Sequence, residues 1–260
     1  MKKSIAIVGG GPAALFLYKR MIDGKPKNTS IDIFECKNSL GRGMPYSGDG
    51  ANNEHITNVS GNEIPELVCS VTEWVKSLPG EELAKYHLNR DSFHEFMVLP
   101  RLLFGEYLNS QFKLLFEQAK KLEIITTVHL NSKVVDINDL PSSNCVKIKT
   151  AGGNTFEFSH VVISTGHTWQ ATHEGRIPGY FDSPYPPSKL KLAIDHPIAI
   201  RGSSLTAIDA IRTLARNNGK FVEEESHKLS YQLNKHAENF KMVMHFRQGL
   251  LPGVRFHLED

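Results

Sequence analysis

The sequence contains no apolar run long enough to cross a membrane. Its first apolar stretch, residues 5–8, is followed at once by glycines and is too short for a secretory signal peptide. The formal net charge is only +2 over 260 residues, which gives no reason to expect a nucleic acid or an anionic membrane as a partner. We therefore expect a globular protein with a small-molecule substrate and neither a nucleic-acid nor a membrane partner.

Cysteine is scarce, since only Cys36, Cys69 and Cys145 are present and they lie far apart. This pattern argues against a disulfide framework and suits a reducing cytoplasm, where we expect the protein to be located. The absence of a CxxC pair argues against a dithiol oxidoreductase. The sequence also has no GxSxG, and Val98 breaks the HExxH pattern that begins at His94, so neither a hydrolase nor a metal site is predicted.

A glycine-rich stretch at residues 9–14 follows a short apolar run and precedes a helical pattern, which predicts strand, tight turn and helix. In this GxGxxA pattern, Gly9 permits the turn, Gly11 lets the backbone approach a pyrophosphate, and Ala14 lets helix and strand pack closely. Glu35 ends the second predicted strand, where an acidic side chain binds a ribose of a dinucleotide. The alternative is an ordinary glycine-rich turn with Glu35 on the surface.

A second loop, with the sequence GRGMPY at residues 41–46, follows that strand. Its two glycines and its proline predict unusual backbone angles. Arg42 lies between the glycines and is a candidate for charge-assisted hydrogen bonds to a pyrophosphate. The alternative is a solvated loop arginine.

The middle of the chain changes from helical to strand periodicity. Helices are predicted at residues 71–77 and 91–121, the longer one kinked or divided at Pro100. A period of two then predicts strands, with a glycine hairpin between the last two. The predicted strands are residues 124–128, 133–137, 145–150 and 155–158, followed by a buried strand at 158–163 that ends in Ser164-Thr165-Gly166.

A second strand–turn–helix pattern follows the loop-rich residues 167–196. Residues 197–201 are predicted to be a buried strand, and the turn after it has the pattern GxSxxA. Serine replaces the middle glycine of this second motif, so a plain βα turn is its alternative. Residues 241–246 are the next predicted strand, and residues 223–225 are predicted to be a solvated acidic face.

These patterns predict an α/β protein with a parallel sheet. We expect a Rossmann-like FAD-binding domain at residues 1–166, with a helical insertion at 48–121 and a small antiparallel meander. Residues 167–196 are expected to be a linker, and residues 197–260 a second, partial Rossmann-like unit for NAD(P).

The order of these motifs resembles the FAD/NAD(P)-binding family of the two-dinucleotide-binding flavoproteins, which is related to amine N-hydroxylating flavin monooxygenases. Five stretches carry the resemblance over nearly the whole chain. They are residues 9–14, residues 41–46, Asn58-Val59, residues 164–167 and residues 201–207.

The resemblance implies a role for each motif. The first turn would hold the FAD pyrophosphate with help from Arg42, Glu35 would bind the adenosine ribose, and Val134 would meet the adenine through its backbone. Residues 202–206 would receive the nicotinamide dinucleotide. The residues expected at the cofactors are Gly9, Gly11, Pro12, Ala13, Ala14, Glu35, Cys36, Arg42, Gly43, Met44, Pro45, Tyr46, Asn58, Val134, Thr165, Gly166, His167, Gly202, Ser203, Ser204, Leu205, Thr206 and Arg247.

The function implied is that of an FAD-dependent NAD(P)H oxidoreductase, a flavin monooxygenase acting on a small amine-bearing or heterocyclic substrate. Asn58 and His167 are the candidate catalytic residues, because they are expected nearest the flavin ring, and a purely structural role is the alternative for each. Arg247 ends the counterpart of the Glu35 strand, where an arginine accommodates a 2′-phosphate, so we expect NADPH rather than NADH. The alternative is a non-catalytic module that binds FAD or another ADP-containing nucleotide.

Members of this family usually continue beyond the point where this sequence stops. We therefore expect a truncated chain, whose second unit leans on a C-terminal continuation or on a partner subunit. Such a chain is expected to hold FAD weakly and to show little NADPH-driven turnover.

Overall fold

The structure, a computed structural model, describes residues 3–168, 170–225, 228–247 and 249. The strands are β1 (Lys3–Val8), β2 (Thr29–Phe34), β3 (Ile56–Ser60), β4 (Val98–Pro100), β5 (Ile125–His129), β6 (Val134–Leu140), β7 (Cys145–Thr150), β8 (Thr155–Phe158), β9 (His160–Ile163), β10 (Pro197–Arg201), β11 (Gly219–Glu223), β12 (Leu229–Leu233) and β13 (Lys241–His245). The α-helices are α1 (Pro12–Asp23), α2 (Val71–Ser77), α3 (Gly80–Ala84), α4 (Arg101–Lys121) and α5 (Leu205–Asn218). In this part of the chain every helix is too short or too polar to cross a bilayer.

The sheet topology confirms the predicted α/β class. Four parallel strands form one sheet in the order β5-β2-β1-β9. Strands β6, β7 and β8 form the antiparallel meander. Strands β10 and β13 form a second parallel pair. In the sequence, β10 precedes α5 and β13 follows it.

The chain divides into two compact units. The first comprises Met1–Ser47, Val59–Leu99 and Leu103–His167, and the second Gly48–Asn58, Pro100–Leu102 and Thr168–Asp260. In the first unit, alternate residues of the sheet bury on opposite faces, as a period of two requires. Ile7 and Ile33 pack with the apolar sides of α1 and α4, whereas Ala6 and Phe34 pack with the meander.

The helical insertion differs from the prediction at its longer helix. The short helix α2 begins and ends where expected, capped by the side chain of Ser70. Residues 91–97, however, are not helical, and residues 98–100 form a short strand before α4 begins at Arg101. The physical reason is Pro100, which lacks an N–H and disfavours helical angles in the residue before it. Proline therefore sets the beginning of this helix instead of kinking it.

Two strands predicted to be buried are largely exposed. Ile163 of β9 has 64% of its surface exposed, and β10 buries only Ile200. Strand β9 is at the edge of its sheet, and β10 pairs only with β13 among the described residues. An apolar run indicates a strand but does not reveal how many neighbours it has.

The second unit contains an element that the sequence analysis missed. Strands β11 and β12 form an antiparallel hairpin directly after α5, with Phe221 opposite Tyr231. The hydroxyl of Tyr231 donates to the carbonyl of Ala215 at 2.8 Å and so ties the hairpin to the helix. Residues 167–196, expected to be a linker, include Leu190 and Ile194, which belong to the apolar core of this unit.

One carboxylate organises the loop between β9 and β10. The side chain of Asp182 accepts hydrogen bonds from the backbone N–H groups of Thr172, His173 and Glu174, at 2.8, 2.7 and 2.8 Å. Glu174 in turn accepts from the amine of Lys189 at 2.8 Å. These backbone donors hold the pKa of Asp182 below its ordinary value of 3.8, and the N–H of Glu174 has the largest effect. The loop is therefore held by specific hydrogen bonds without helix or strand.

Asp182→Ala is expected to remove amide protection at residues 172–174. Because the folded pKa is lowered, the carboxylate stabilises the loop above pH 3.8, and this contribution disappears as the pH falls through the folded pKa. Hydrogen exchange of the three amides, measured against pH in both proteins, tests this. Asp182→Asn keeps the shape of the side chain and should retain part of the protection. Unchanged exchange in Asp182→Ala would contradict the assignment.

A buried polar cluster lies in the second unit around Asp209 of α5. Its carboxylate accepts from the hydroxyl of Tyr185 at 2.6 Å and from the guanidinium of Arg101. The pKa of Tyr185 is raised to about 12 by burial, which has the largest effect, and by its hydrogen bond to Asp209. The phenol therefore remains a donor. The fully buried ring of His55 accepts from the N–H of Asn52 at 2.8 Å and lies 3.2 Å from the carbonyl oxygen of Asp209.

Candidate nucleotide-binding site

The turn between β1 and α1 brings three glycines together, and each has a different constraint. Gly9 has φ +100°, and a Cβ there would lie 2.4 Å from the carbonyl oxygen of Ser164. A Cβ on Gly10 would lie 2.3 Å from the side chain of Leu40. At Gly11 the nearest atom would be the Cα of Gly43, at an ordinary 3.4 Å. The fold itself therefore requires glycine at Gly9, a Cβ on Gly10 would displace the side chain of Leu40, and the space at Gly11 admits a Cβ.

The beginning of α1 presents unpaired donors to that space. Gly11 is the N-cap and provides no capping side chain, and Pro12 has no N–H. The N–H groups of Gly11, Ala13 and Ala14 have no hydrogen-bond partner among the described residues. Unpaired N–H groups and the positive end of the helix dipole favour a phosphate group.

Glu35 lies beside this turn with its carboxylate fixed. Its Oε2 accepts from the N–H of Gly10 at 2.7 Å, and its Oε1 accepts from the N–H of Lys37 at 2.9 Å and from the thiol of Cys36 at 3.2 Å. The pKa of the Cys36 thiol is raised by burial, which has the largest effect, and by its hydrogen bond to Glu35. The thiol therefore stays protonated as a donor. Oε1 thus accepts two hydrogen bonds and Oε2 one, so Oε2 has further acceptor capacity for a ribose hydroxyl.

Within the first unit, the loop at residues 41–46 lies between the phosphate turn and the part of α4 that begins at Leu103. The N–H of Gly41 donates to the carbonyl of Gly10 at 2.7 Å. On the other side, a Cβ on Gly41 would lie 2.6 Å from the backbone of Leu108, and one on Gly105 would lie 2.1 Å from the carbonyl oxygen of Tyr46. Glycines on both elements thus permit close contact between the loop and the helix. The sequence analysis missed Gly105, although a glycine inside a strong helical pattern indicates close packing.

Arg42 lies in this loop between Gly41 and Gly43. Its Nη2 donates to Glu106 of α4 at 2.8 Å. Its Nε is buried and has no hydrogen-bond partner among the described residues. Since an unsatisfied buried donor costs about 1–3 kcal/mol, this atom fits a site for an anionic ligand.

The other residues predicted in the first unit lie in three places. Met44 and Tyr46 are half-buried and Pro45 is exposed in the 41–46 loop. Val134 begins β6 and packs on the core between sheet and meander. Thr165, Gly166 and His167 follow β9 in an exposed loop, with φ +77° at Gly166. Ser164 in the same loop contacts the phosphate turn at Gly9.

The remaining predicted residues belong to the second unit. Asn58 is exposed in β3. Gly202, with φ +117°, and Ser203 lead into α5, where Ser204 is the N-cap without a side-chain cap and Leu205 and Thr206 form the first turn. Arg247 is exposed two residues beyond β13. Because β10 and β13 are parallel, Arg247 and the Gly202 turn follow the same edge of that pair.

Comparison with known proteins identifies relatives of this chain. Residues 6–168 match the family model described as FAD-NAD(P)-binding. The uncharacterised protein YdhS of Escherichia coli strain K12 is 28% identical over 256 residues, which are 98% of this chain and 47% of that protein. The chain therefore spans about half the length of this curated relative.

Two solved structures share the fold. S-allyl-L-cysteine S-oxygenase from Allium sativum superposes with a TM-score of 0.50 at 17% identity, over 93% of this chain and 56% of that one. A cyclohexanone-bound cyclohexanone monooxygenase superposes with a TM-score of 0.50 at 10% identity, over 82% of this chain and 37% of that one. At these identities the superpositions show similarity of fold alone.

Proposed function

Because the chain belongs to the FAD-NAD(P)-binding family, we propose that it is the dinucleotide-binding part of an FAD-dependent NAD(P)H oxidoreductase. Within this proposal, residues 1–166 bind FAD and residues 197–260 bind the nicotinamide nucleotide. The reaction proposed is monooxygenation of a small amine-bearing or heterocyclic substrate.

Membership of the family confirms two predictions made from the sequence. It confirms the family that the five motifs resemble, and it confirms FAD and NAD(P) as the cofactors. The reaction class remains a proposal, supported by the names of the two oxygenases that share the fold.

The observation that carries the proposal is the phosphate turn with its surroundings. Three unpaired N–H groups lie at the beginning of α1, the fixed carboxylate of Glu35 accepts from the turn at Gly10, and Arg42, whose buried Nε is unpaired, belongs to the loop that contacts this turn. This set complements a pyrophosphate joined to a ribose. FAD supplies the redox chemistry when bound, and the residues of this chain bind and orient it. Asn58 and His167 remain the candidates for contact with the flavin ring.

The absorption spectrum of the purified chain tests the proposal. We expect the chain mixed with FAD to show the spectrum of bound flavin, to lose part of that flavin on gel filtration, and to bleach slowly on anaerobic addition of NADPH. Bound flavin that NADPH does not bleach favours the non-catalytic nucleotide-binding module. A protein that binds neither FAD nor ADP contradicts the proposal.

Arg247→Ala is expected to reduce the preference for NADPH over NADH by about tenfold, the effect of losing one charge-assisted hydrogen bond. Arg247 follows the second parallel strand, where an arginine accommodates the 2′-phosphate. Titration of parent and variant with both nucleotides measures the ratio. Arg216→Ala, which removes an exposed arginine from the last turn of α5, is the matched control. Equal affinities for the two nucleotides in the parent would disprove the assignment.

A further inference from the structure

The ion pair between Arg42 and Glu106 has a position that the function proposed above leaves unexplained. Glu106 lies one residue after Gly105, at which α4 meets the 41–46 loop. The Nη2–Oε2 distance is 2.8 Å, and the side chains of Arg42 and Glu106 are 33% and 45% exposed. An ion pair this exposed contributes little to stability by itself. Its geometry therefore points to a role other than holding the fold together.

The backbone around Arg42 is fixed on both sides. Gly41 donates to Gly10 in the phosphate turn, and a Cβ on Gly43 would lie 3.0 Å from the ring of Pro12 at the beginning of α1. The backbone of Arg42 thus belongs to a loop that contacts the phosphate turn. Its side chain still has several rotatable bonds, whose ordering costs conformational entropy. A contact that fixes the far end of the guanidinium before the ligand binds removes part of that cost.

We propose that Glu106 is a positioning residue for Arg42, and that it holds the guanidinium so that the buried Nε donates to the pyrophosphate of the bound dinucleotide. This inference rests on the proposed function, because it needs a pyrophosphate at the turn. Glu106 occupies one end of the guanidinium, and the buried Nε has no hydrogen-bond partner in the part of the chain that the structure describes. Sequence patterns do not reveal the pair, since its members are 64 positions apart.

Glu106 also has an opposing effect, because its negative charge repels a phosphate. The carboxylate is partly exposed, so solvent and salt screen this repulsion. The loss of a charge-assisted hydrogen bond from a buried donor is a larger effect than the loss of a screened repulsion. We therefore expect positioning to outweigh repulsion, and the sign of the change in affinity decides between the two effects.

The test measures the dissociation constants of FAD and ADP by titration calorimetry at fixed salt. Glu106→Ala is expected to weaken both by about fivefold, the upper range for an exposed pair. Arg42→Lys keeps the charge but lacks Nε, and is expected to weaken both by about tenfold. Arg42→Gln is expected to weaken them at least as much. In the Arg42→Gln background, Glu106→Ala should have no further effect, since there is no guanidinium left to position.

Glu82→Ala is the matched control. Glu82 lies in a helix, is 47% exposed and pairs with Lys85, so the variant removes the same charge and breaks a similar pair. The pKa of Tyr86 is raised by burial, which has the largest effect, and then by the nearby carboxylates of Glu106 and Glu82. The two glutamates therefore lie in the same neighbourhood. The control variant should bind FAD and ADP as the parent does. Urea midpoints of all variants check that the fold is intact.

Several results would overturn the inference alone. One is a parent that binds FAD or ADP and a Glu106→Ala variant that binds it with equal or higher affinity. Another is a Glu82→Ala variant whose affinity is weakened to the same extent as that of Glu106→Ala. A Glu106→Ala effect that persists in the Arg42→Gln background would show a merely structural role. A parent that binds neither nucleotide would overturn both this inference and the proposed function.

Discussion

Gly11→Ala is expected to weaken FAD binding by about a hundredfold, the effect of losing one or two charge-assisted hydrogen bonds. The backbone at Gly11 has φ −79°, which any residue adopts, and an added Cβ has only an ordinary contact with Gly43. The protein therefore tolerates alanine here. The Cβ would instead narrow the gap between the phosphate turn and Gly43, where the pyrophosphate is expected. Gly11→Val should bind FAD still more weakly.

Two further glycines provide controls for this prediction. Gly9→Ala should destabilise the fold itself, since its Cβ would meet the backbone of Ser164 at 2.4 Å and its φ is +100°. Gly48→Ala should change nothing, because no atom lies within 4 Å of the added Cβ. FAD titration and urea unfolding of the three variants separate loss of binding from loss of folding. A Gly11→Ala protein that binds FAD as tightly as the parent would refute the pyrophosphate assignment.

Asp209→Ala is expected to lower the free energy of unfolding by about 3 kcal/mol or more. Asp209 and Arg101 are only 7% and 12% exposed, and the carboxylate also accepts from Tyr185. Removal of the carboxylate leaves a largely buried guanidinium without its counter-ion. The large cost comes from this unpaired charge, because a complete buried pair contributes little net stability.

The same reasoning gives the control. The double variant Arg101→Met/Asp209→Leu removes both charges and should recover much of the lost stability. Urea denaturation followed by circular dichroism, with hydrogen exchange of α5, measures the change in the unit that contains the pair. A loss below about 1 kcal/mol in Asp209→Ala, the value for an exposed pair, would contradict the expected burial of this pair.

Local patterns predicted much of the first unit. The strands β7 and β8, the helix α2 and the turn before α1 follow the sequence closely, because neighbouring residues determine each of them. The loop after Glu35 was recognised from its glycines for the same reason. Glycine and proline restrict or permit backbone angles wherever they occur, so their effect is visible without the rest of the fold.

The parts not predicted depend on residues distant in sequence. Arg101 and Asp209 are 108 positions apart, so neither predicts the other. The exposure of Ile163 follows from the place of β9 at a sheet edge, which its own composition does not encode. The hairpin β11–β12 was missed although Leu229, Tyr231 and Leu233 alternate with polar residues. Its strands have only five residues each, and polar residues surround them.

The hydrogen bonds of Glu35 affect which nucleotides the site accepts. The N–H groups of Gly10 and Lys37 hold the carboxylate in one rotamer without any ligand. A side chain already ordered loses little conformational entropy on binding, but it also does not turn to meet a differently placed partner. Under the proposed function, Glu35 would therefore be a rigid template for the ribose. A deoxyribose would leave the carboxylate facing no donor, and we expect selectivity for the sugar to follow from this rigidity.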